Sequence, residues 1–93
     1  MIYYYKVTDL KGNLIGIVNS YALRYYSERN HRMLCCDESL AQYICVNDSF
    51  YRVQMFYDES PSMIGVYPEA YVELTTKEEY EKYRESLETE SLE

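Results

Sequence analysis

The sequence contains no tryptophan, one histidine, two prolines and three glycines, which stand apart at positions 12, 16 and 65. Without neighbouring glycines it has no glycine-rich loop to cradle a phosphate group. A single histidine leaves few groups that exchange protons near neutral pH. No hydrophobic run is long enough to span a membrane, and the start lacks the apolar run of a signal peptide. These absences disfavour nucleotide hydrolysis, acid-base catalysis and a membrane-bound function.

Cysteine is too scarce for a disulfide framework, because the chain has three, an odd number, and two of them are adjacent. We therefore expect a protein of the reducing cytoplasm. His31, Cys35, Cys36 and Cys45 are potential zinc ligands, but adjacent cysteines in a strand point to opposite sides and cannot converge on one metal. A Cys/His couple for nucleophilic catalysis lacks an orienting partner. We expect packed thiols, no metal, no cofactor and no enzymatic activity.

Charge is plentiful but unevenly spread. Residues 1–33 carry five Lys or Arg and two Asp or Glu, whereas residues 34–93 carry four and fourteen, and the whole chain has a formal charge of −7. Tyrosine supplies 13 of the 15 aromatic residues, which is typical of surfaces that bind as well as of cores. The acidic part disfavours direct contact with nucleic acid phosphates and favours a basic protein surface as the partner.

Segments bounded by turn residues predict a small α+β domain. Residues 40–57 hold two runs of β-branched and aromatic residues around a polar turn, which predicts a central antiparallel hairpin. A helical periodicity predicts one helix over residues 21–29 with Asn19-Ser20 as its N-cap, and Thr76 with Glu79 forms a capping-box pattern that starts another. Further strands are predicted over residues 2–8, 14–18, 33–36 and 70–75, and alternation along the first of them places Tyr3, Tyr5 and Val7 on its core face. Residues 1–93 should thus form one domain, with a mainly antiparallel sheet in the order ββαβββα, helices on one side, and an acidic end that frays from about residue 88.

The register of the central hairpin depends on its turn. A three-residue turn places Tyr43 opposite Val53 and Val46 opposite Phe50, which makes one face apolar. A two-residue turn places Tyr43 opposite Arg52 instead. We predict the three-residue turn, because it keeps the charged side chain off that face.

The hairpin also predicts where negative charge accumulates. Asp37-Glu38-Ser39 precedes its first strand and Asp58-Glu59-Ser60 follows its second, so antiparallel pairing brings the two triplets to the same open end. Four carboxylates should therefore lie near one another: Asp37, Glu38, Asp58 and Glu59. They form either two solvated turns, a patch that meets a basic partner, or a hard-cation site, although the spacing lacks a recognised calcium loop.

A second candidate surface follows from the helix predicted over residues 21–29. Tyr21, Tyr25 and Arg29 fall at successive i, i+4 steps on one edge, with Arg24 and Arg32 close in sequence. Tyrosine and arginine are common at binding hot spots and stack on bases, so this edge could hold an anionic, ring-bearing ligand. A chain this small would complete such a pocket at a homodimer interface. The simpler interpretation is that the tyrosines cover the sheet edge with their hydroxyls in water.

In its size, its acidic charge and its lack of catalytic apparatus, the whole chain resembles the small single-domain inhibitors that bacteriophages and mobile elements encode, such as anti-CRISPR proteins. The resemblance implies a non-enzymatic viral inhibitor that binds a larger protein. We therefore predict a protein that occupies a basic or nucleic-acid-binding surface of its partner through the four carboxylates of the two triplets. The alternative is a small-molecule or nucleotide-sequestering protein that uses the tyrosine and arginine edge.

Overall fold

The computed structural model describes residues 2–53 and 67–91, which form two antiparallel sheets and one α-helix. The elements are β1 Tyr4–Thr8, β2 Leu14–Asn19, a 3-10 helix Ser20–Ala22, β3 Leu23–Ser27, β4 Arg32–Cys35, β5 Tyr43–Val46, β6 Ser49–Arg52, β7 Tyr71–Thr75 and α1 Lys77–Ser91. The first sheet has the order β2-β1-β7 and the second the order β4-β3-β5-β6. The predicted small domain with mainly antiparallel strands is confirmed. The prediction of one sheet in the order ββαβββα with two helices is wrong, because the described residues form two sheets and one α-helix.

The order differs because residues 21–29 do not form a helix. Asn19 acts as the predicted N-cap, since its side chain accepts a hydrogen bond from the Tyr21 N–H, but only the short 3-10 helix follows. The chain then continues as β3, which pairs with β4 on one side and β5 on the other. Pairing on both edges outweighs the helical periodicity of a segment whose tyrosines also favour strands.

The turn of the central hairpin differs from the prediction as well. Asn47 and Asp48 both have positive φ, 51° and 66°, and β5 pairs with β6 so that Val46 lies opposite Ser49 and Tyr43 opposite Arg52. This is the two-residue turn of a tight hairpin, whose backbone twist matches that of its strands. The predicted three-residue turn is therefore wrong, and the charge of Arg52 is met by Glu69, with which it forms a salt bridge.

The Asn-Asp turn allows a prediction about stability. Asp48→Gly should raise the free energy of unfolding by about 0.5 kcal/mol, because glycine adopts positive φ without steric cost and Asn-Gly is a preferred pair for this turn. Asp48→Ala should lower it by about 1 kcal/mol, because alanine is strained in the left-handed region. Urea unfolding of both variants measures the difference. Changes of the same sign in both would contradict the assignment of the turn.

The core lies between the two sheets. Tyr5, Val7 and Val72 face it from the first sheet, and the second sheet contributes Leu23 and Ile44. The predicted core face of β1 is confirmed for Tyr5 and Val7, which are 1% and 0% exposed, but Tyr3 is 43% exposed beyond the end of the strand. Because β2 continues through the 3-10 helix into β3, one length of chain passes from the first sheet to the second. The resulting corner leaves side chains near Tyr3 and Tyr21 accessible.

Helix α1 begins as the capping-box pattern predicts, because Thr76 Oγ1 accepts a hydrogen bond of 3.2 Å from the Glu79 N–H. The ring centroids of Tyr80 on the helix and Tyr4 on β1 lie 5.0 Å apart, and this contact packs the helix against the first sheet. The helix extends to Ser91, past the point from which fraying is predicted, and the fraying stays a prediction. No helix within residues 2–53 and 67–91 is long and apolar enough to cross a membrane.

Candidate binding groove

An open groove of 330 Å³ lies beside the corner between the two sheets. One wall comes from the start of β1 and the 3-10 helix, and the other from the segment that joins β4 to β5. We call it the acidic groove, and its principal residues are Tyr3, Tyr5, Tyr21, Cys36, Asp37 and Glu38. It combines two residues from the predicted carboxylate patch with one from the predicted tyrosine and arginine edge.

The aromatic wall of the acidic groove is fixed by backbone hydrogen bonds. The Ser20 N–H donates to the Tyr3 carbonyl at 2.9 Å, and the Tyr3 N–H donates to Ser20 Oγ at 3.4 Å. The Tyr21 N–H donates to Asn19 Oδ1 at 3.0 Å. Tyr3 and Tyr21 remain 43% and 70% exposed as residues. The backbone therefore presents two exposed aromatic rings whose attachment points are held in place.

The acidic wall is a closed turn. The Leu40 N–H donates to the Asp37 carbonyl at 3.2 Å, and the Ala41 N–H donates to the Glu38 carbonyl at 3.4 Å. Asp37 Oδ1 accepts hydrogen bonds from the hydroxyl and the N–H of Ser39, which lower the pKa of the Asp37 carboxyl. Asp37 is therefore negatively charged at neutral pH. Its carboxylate and that of Glu38 are solvent-exposed, and neither forms an ion pair within the described ranges.

Burial and nearby negative charge raise the pKa of two weaker acids that line the groove, Tyr5 and Cys36. Burial, and then the charge of Glu38, raises the pKa of the Tyr5 hydroxyl, which lies on the core side of the groove. Burial and then the charge of Asp37 raise the pKa of Cys36 to about 11, and the charge of Arg24 offsets this only in part. At neutral pH the Cys36 thiol stays protonated and is a poor nucleophile. The groove thus favours a cation and disfavours both an anion and thiol chemistry.

The structure describes one of the two Asp-Glu-Ser triplets that make up the predicted patch of four carboxylates. Asp37 and Glu38 both line the acidic groove, as exposed residues of the turn before β5. Asp58 and Glu59 lie outside the described residues, so the convergence of the two triplets stays a prediction.

The predicted tyrosine and arginine edge is wrong as a continuous helical surface. Arg24 and Tyr25 are consecutive residues of β3 and point to opposite faces of the sheet. The Arg24 guanidinium donates hydrogen bonds to the carbonyls of Tyr21 and Leu23, so it stabilises the chain before β3. Arg29 lies in the turn after β3, and Arg32 lies on β4 opposite Ser27. Only Tyr21 of this set reaches the acidic groove.

The potential zinc ligands are also dispersed. His31 is exposed in the turn between β3 and β4, with a φ of 54°, and Cys35, Cys36 and Cys45 are free thiols. Among the residues that the structure describes, no three His, Cys, Asp or Glu side chains are grouped as a metal site requires. The described part of the chain therefore offers the acidic groove, and not this set, as a site.

Two larger depressions differ from the acidic groove in charge. One, of 470 Å³, lies between α1 and β2, and both Arg84 and Glu88 line it. The other, of 510 Å³, contains the ion pair of Arg52 with Glu69. In each of them an arginine accompanies the carboxylate, whereas the acidic groove has two carboxylates and no basic lining residue.

Sequence reasoning missed the contributions of Tyr3, Tyr5 and Cys36 to this groove. Alternation along β1 assigns Tyr3 to the core face, but the strand begins at Tyr4 and leaves that side chain at the rim. The sequence held one signal for this juxtaposition, because pairing β1 with β2 as a hairpin brings Tyr3 opposite Ser20, which is next to Tyr21. No protein-family model, curated protein or solved structure matches this chain.

Proposed function

We propose that this chain is a non-enzymatic binding protein that occupies a basic surface of a larger protein. The observation that carries the proposal is the acidic groove, which the exposed residues Asp37, Glu38, Tyr3 and Tyr21 line together. Aromatic residues anchor protein interfaces, and complementary charge selects the partner and accelerates encounter. A partner surface that normally binds nucleic acid has the required charge, so the protein acts as an inhibitor of the phage or mobile-element type, such as an anti-CRISPR.

The charge of the rest of the molecule supports the same proposal. Helix α1 presents exposed glutamates at positions 78, 79, 81, 85 and 88, against Lys77, Lys82 and Arg84. These charges and those of the groove contribute to the chain's formal charge of −7. Such a field attracts a basic surface over roughly the Debye length, about 8 Å at physiological salt, and repels nucleic acid phosphates.

Charge reversal in the acidic groove tests the proposal. Affinity capture from the native host, with mass spectrometry of the bound proteins, first identifies the partner. Asp37→Lys combined with Glu38→Lys should then slow association with that partner at least about tenfold, because steering depends on the sign of the charge near the contact. Stopped-flow measurements at several salt concentrations report the rate, and the effect should shrink as salt rises.

The matched control for that experiment is Glu28→Lys combined with Glu81→Lys, which changes the net charge equally at exposed positions outside the groove. It should slow association by clearly less than the groove variant. Adding Asp58→Lys and Glu59→Lys to the groove variant tests the predicted four-carboxylate patch, since it should slow association further. Unchanged association of the groove variant with the captured partner would overturn the proposed function.

A further inference from the structure

The acidic groove has the features of a site for one particular cation. Resting on the proposed function, we propose that it recognises the guanidinium group of an arginine side chain on the basic partner. Its volume of 330 Å³ lies at the lower end of the range for small-ligand pockets, so it fits one long side chain rather than a folded segment.

Two kinds of contact converge in the groove, and an arginine satisfies both. Asp37 and Glu38 are exposed and line the groove, and carboxylates accept hydrogen bonds from the N–H groups of a guanidinium in a planar, bidentate manner. The exposed rings of Tyr3 and Tyr21 supply faces on which a planar cation stacks. A lysine ammonium is compact and strongly hydrated, so it uses the carboxylates but gains less from the rings.

The groove is organised before any partner arrives. Ser39 holds one oxygen of Asp37, which leaves the other oxygen outside that interaction. The backbone hydrogen bonds at Ser20 and Asn19 fix the attachment of both tyrosines. A site that is ordered in advance loses less conformational entropy on binding, so even a single side chain can be bound with selectivity.

One cation of the chain itself, Arg24, lies near the groove but does not fill it. Arg24 affects the pKa of Cys36, so its charge is close, but its guanidinium donates to the backbone carbonyls of Tyr21 and Leu23. It therefore supports the aromatic wall and leaves the two carboxylates unpaired within the described residues. The negative charge of the groove is available to a cation from outside.

The test compares two peptides by NMR, acetyl-Gly-Ser-Arg-Ser-Gly-amide and its lysine counterpart, titrated into the ¹⁵N-labelled protein at low salt. The arginine peptide should shift the amide signals of Tyr3, Cys36 and Glu38 and should bind at least about threefold more tightly than the lysine peptide. Tyr21→Leu should bring the ratio of the two affinities close to one. Glu38→Gln should weaken both peptides about threefold or more.

Matched controls use exposed residues outside the groove. Tyr71→Leu and Glu28→Gln repeat the two chemical changes at positions that do not line it, and both should leave the peptide affinities unchanged. Equal affinities for the two peptides in the wild type, or no shift at the groove signals, would overturn the arginine proposal. The proposed function would still stand if Asp37→Lys with Glu38→Lys slowed association with the captured partner, so the two failures are distinguishable.

Discussion

Gly16→Ala should lower the free energy of unfolding by about 1 to 3 kcal/mol, the usual cost of overpacking a well-filled core. A Cβ atom on Gly16 would lie 2.7 Å from Val46 Cγ1 and 3.2 Å from Tyr83 Oη. Val46 is 3% exposed and β-branched, so its side chain cannot turn away cheaply. The added methyl group must therefore push apart β2 of the first sheet, β5 of the second and α1. Urea unfolding measures the loss, and the amide signals of Val46 and Tyr83 should move.

A second substitution separates this crowding from a backbone effect. Val46→Ala removes the nearest atom, so in the double variant the cost of Gly16→Ala should be clearly smaller than in the wild type. Gly12→Ala is the control, because Gly12 has a φ of 88° and open space around its Cβ position. Its cost arises from the backbone alone, and Val46→Ala should not change it. Additive effects of Gly16→Ala and Val46→Ala would contradict the close approach of the sheets at this glycine.

The elements that the sequence predicts correctly are those defined by neighbouring residues. The cap of α1 depends on Thr76 and Glu79, three residues apart, and alternation within five residues identifies Tyr5 and Val7 as core. The segment 21–29 is predicted wrongly, because its strand conformation depends on pairing with β4 and β5. The periodicity of a short segment carries no information about a pairing strand that comes later in the chain.

The same reasoning explains what was predictable of the acidic groove. Asp37 and Glu38 were identified by their charge, because an acidic turn is visible in the sequence itself. Their aromatic neighbour Tyr3 stands 34 positions before Asp37 and meets it only through the corner at the 3-10 helix. Asp37 and Glu38 were thus predictable as an acidic turn, whereas the aromatic wall that completes the groove required the structure.

The sequence favours the wrong turn of the central hairpin for a related reason. The observed register puts Arg52 opposite Tyr43, and a charged side chain in a core is costly when it has no partner. Its partner, Glu69, is 17 residues further along the chain. Glu69 forms an isolated bridge with Arg52 and precedes β7. The ion pair therefore links the end of β6, in the second sheet, to the segment just before β7, which belongs to the first sheet.

Glu69→Gln should consequently lower the free energy of unfolding by about 1 to 3 kcal/mol. The Arg52 side chain is only 8% exposed, so its charge has little water to replace the carboxylate, and losing one partner of a buried pair is costly. The Glu69 side chain is 43% exposed, and this access to water keeps the expected cost below that of a fully buried pair. Urea unfolding at neutral pH measures the change.

Glu73→Gln is the matched control, because Glu73 pairs with Lys6 at 3.9 Å on the surface, where the two side chains are 71% and 43% exposed. It should cost less than about 0.5 kcal/mol, as exposed pairs do. Arg52→Met removes the buried charge itself, so adding Glu69→Gln to it should cost little, and the coupling energy of this double-mutant cycle should exceed about 1 kcal/mol. Equal effects of Glu69→Gln and Glu73→Gln would show that the carboxylate does not offset the buried guanidinium. The register that places Arg52 in the core would then depend on its backbone, whose N–H donates to Pro68 and whose carbonyl accepts from Ala70.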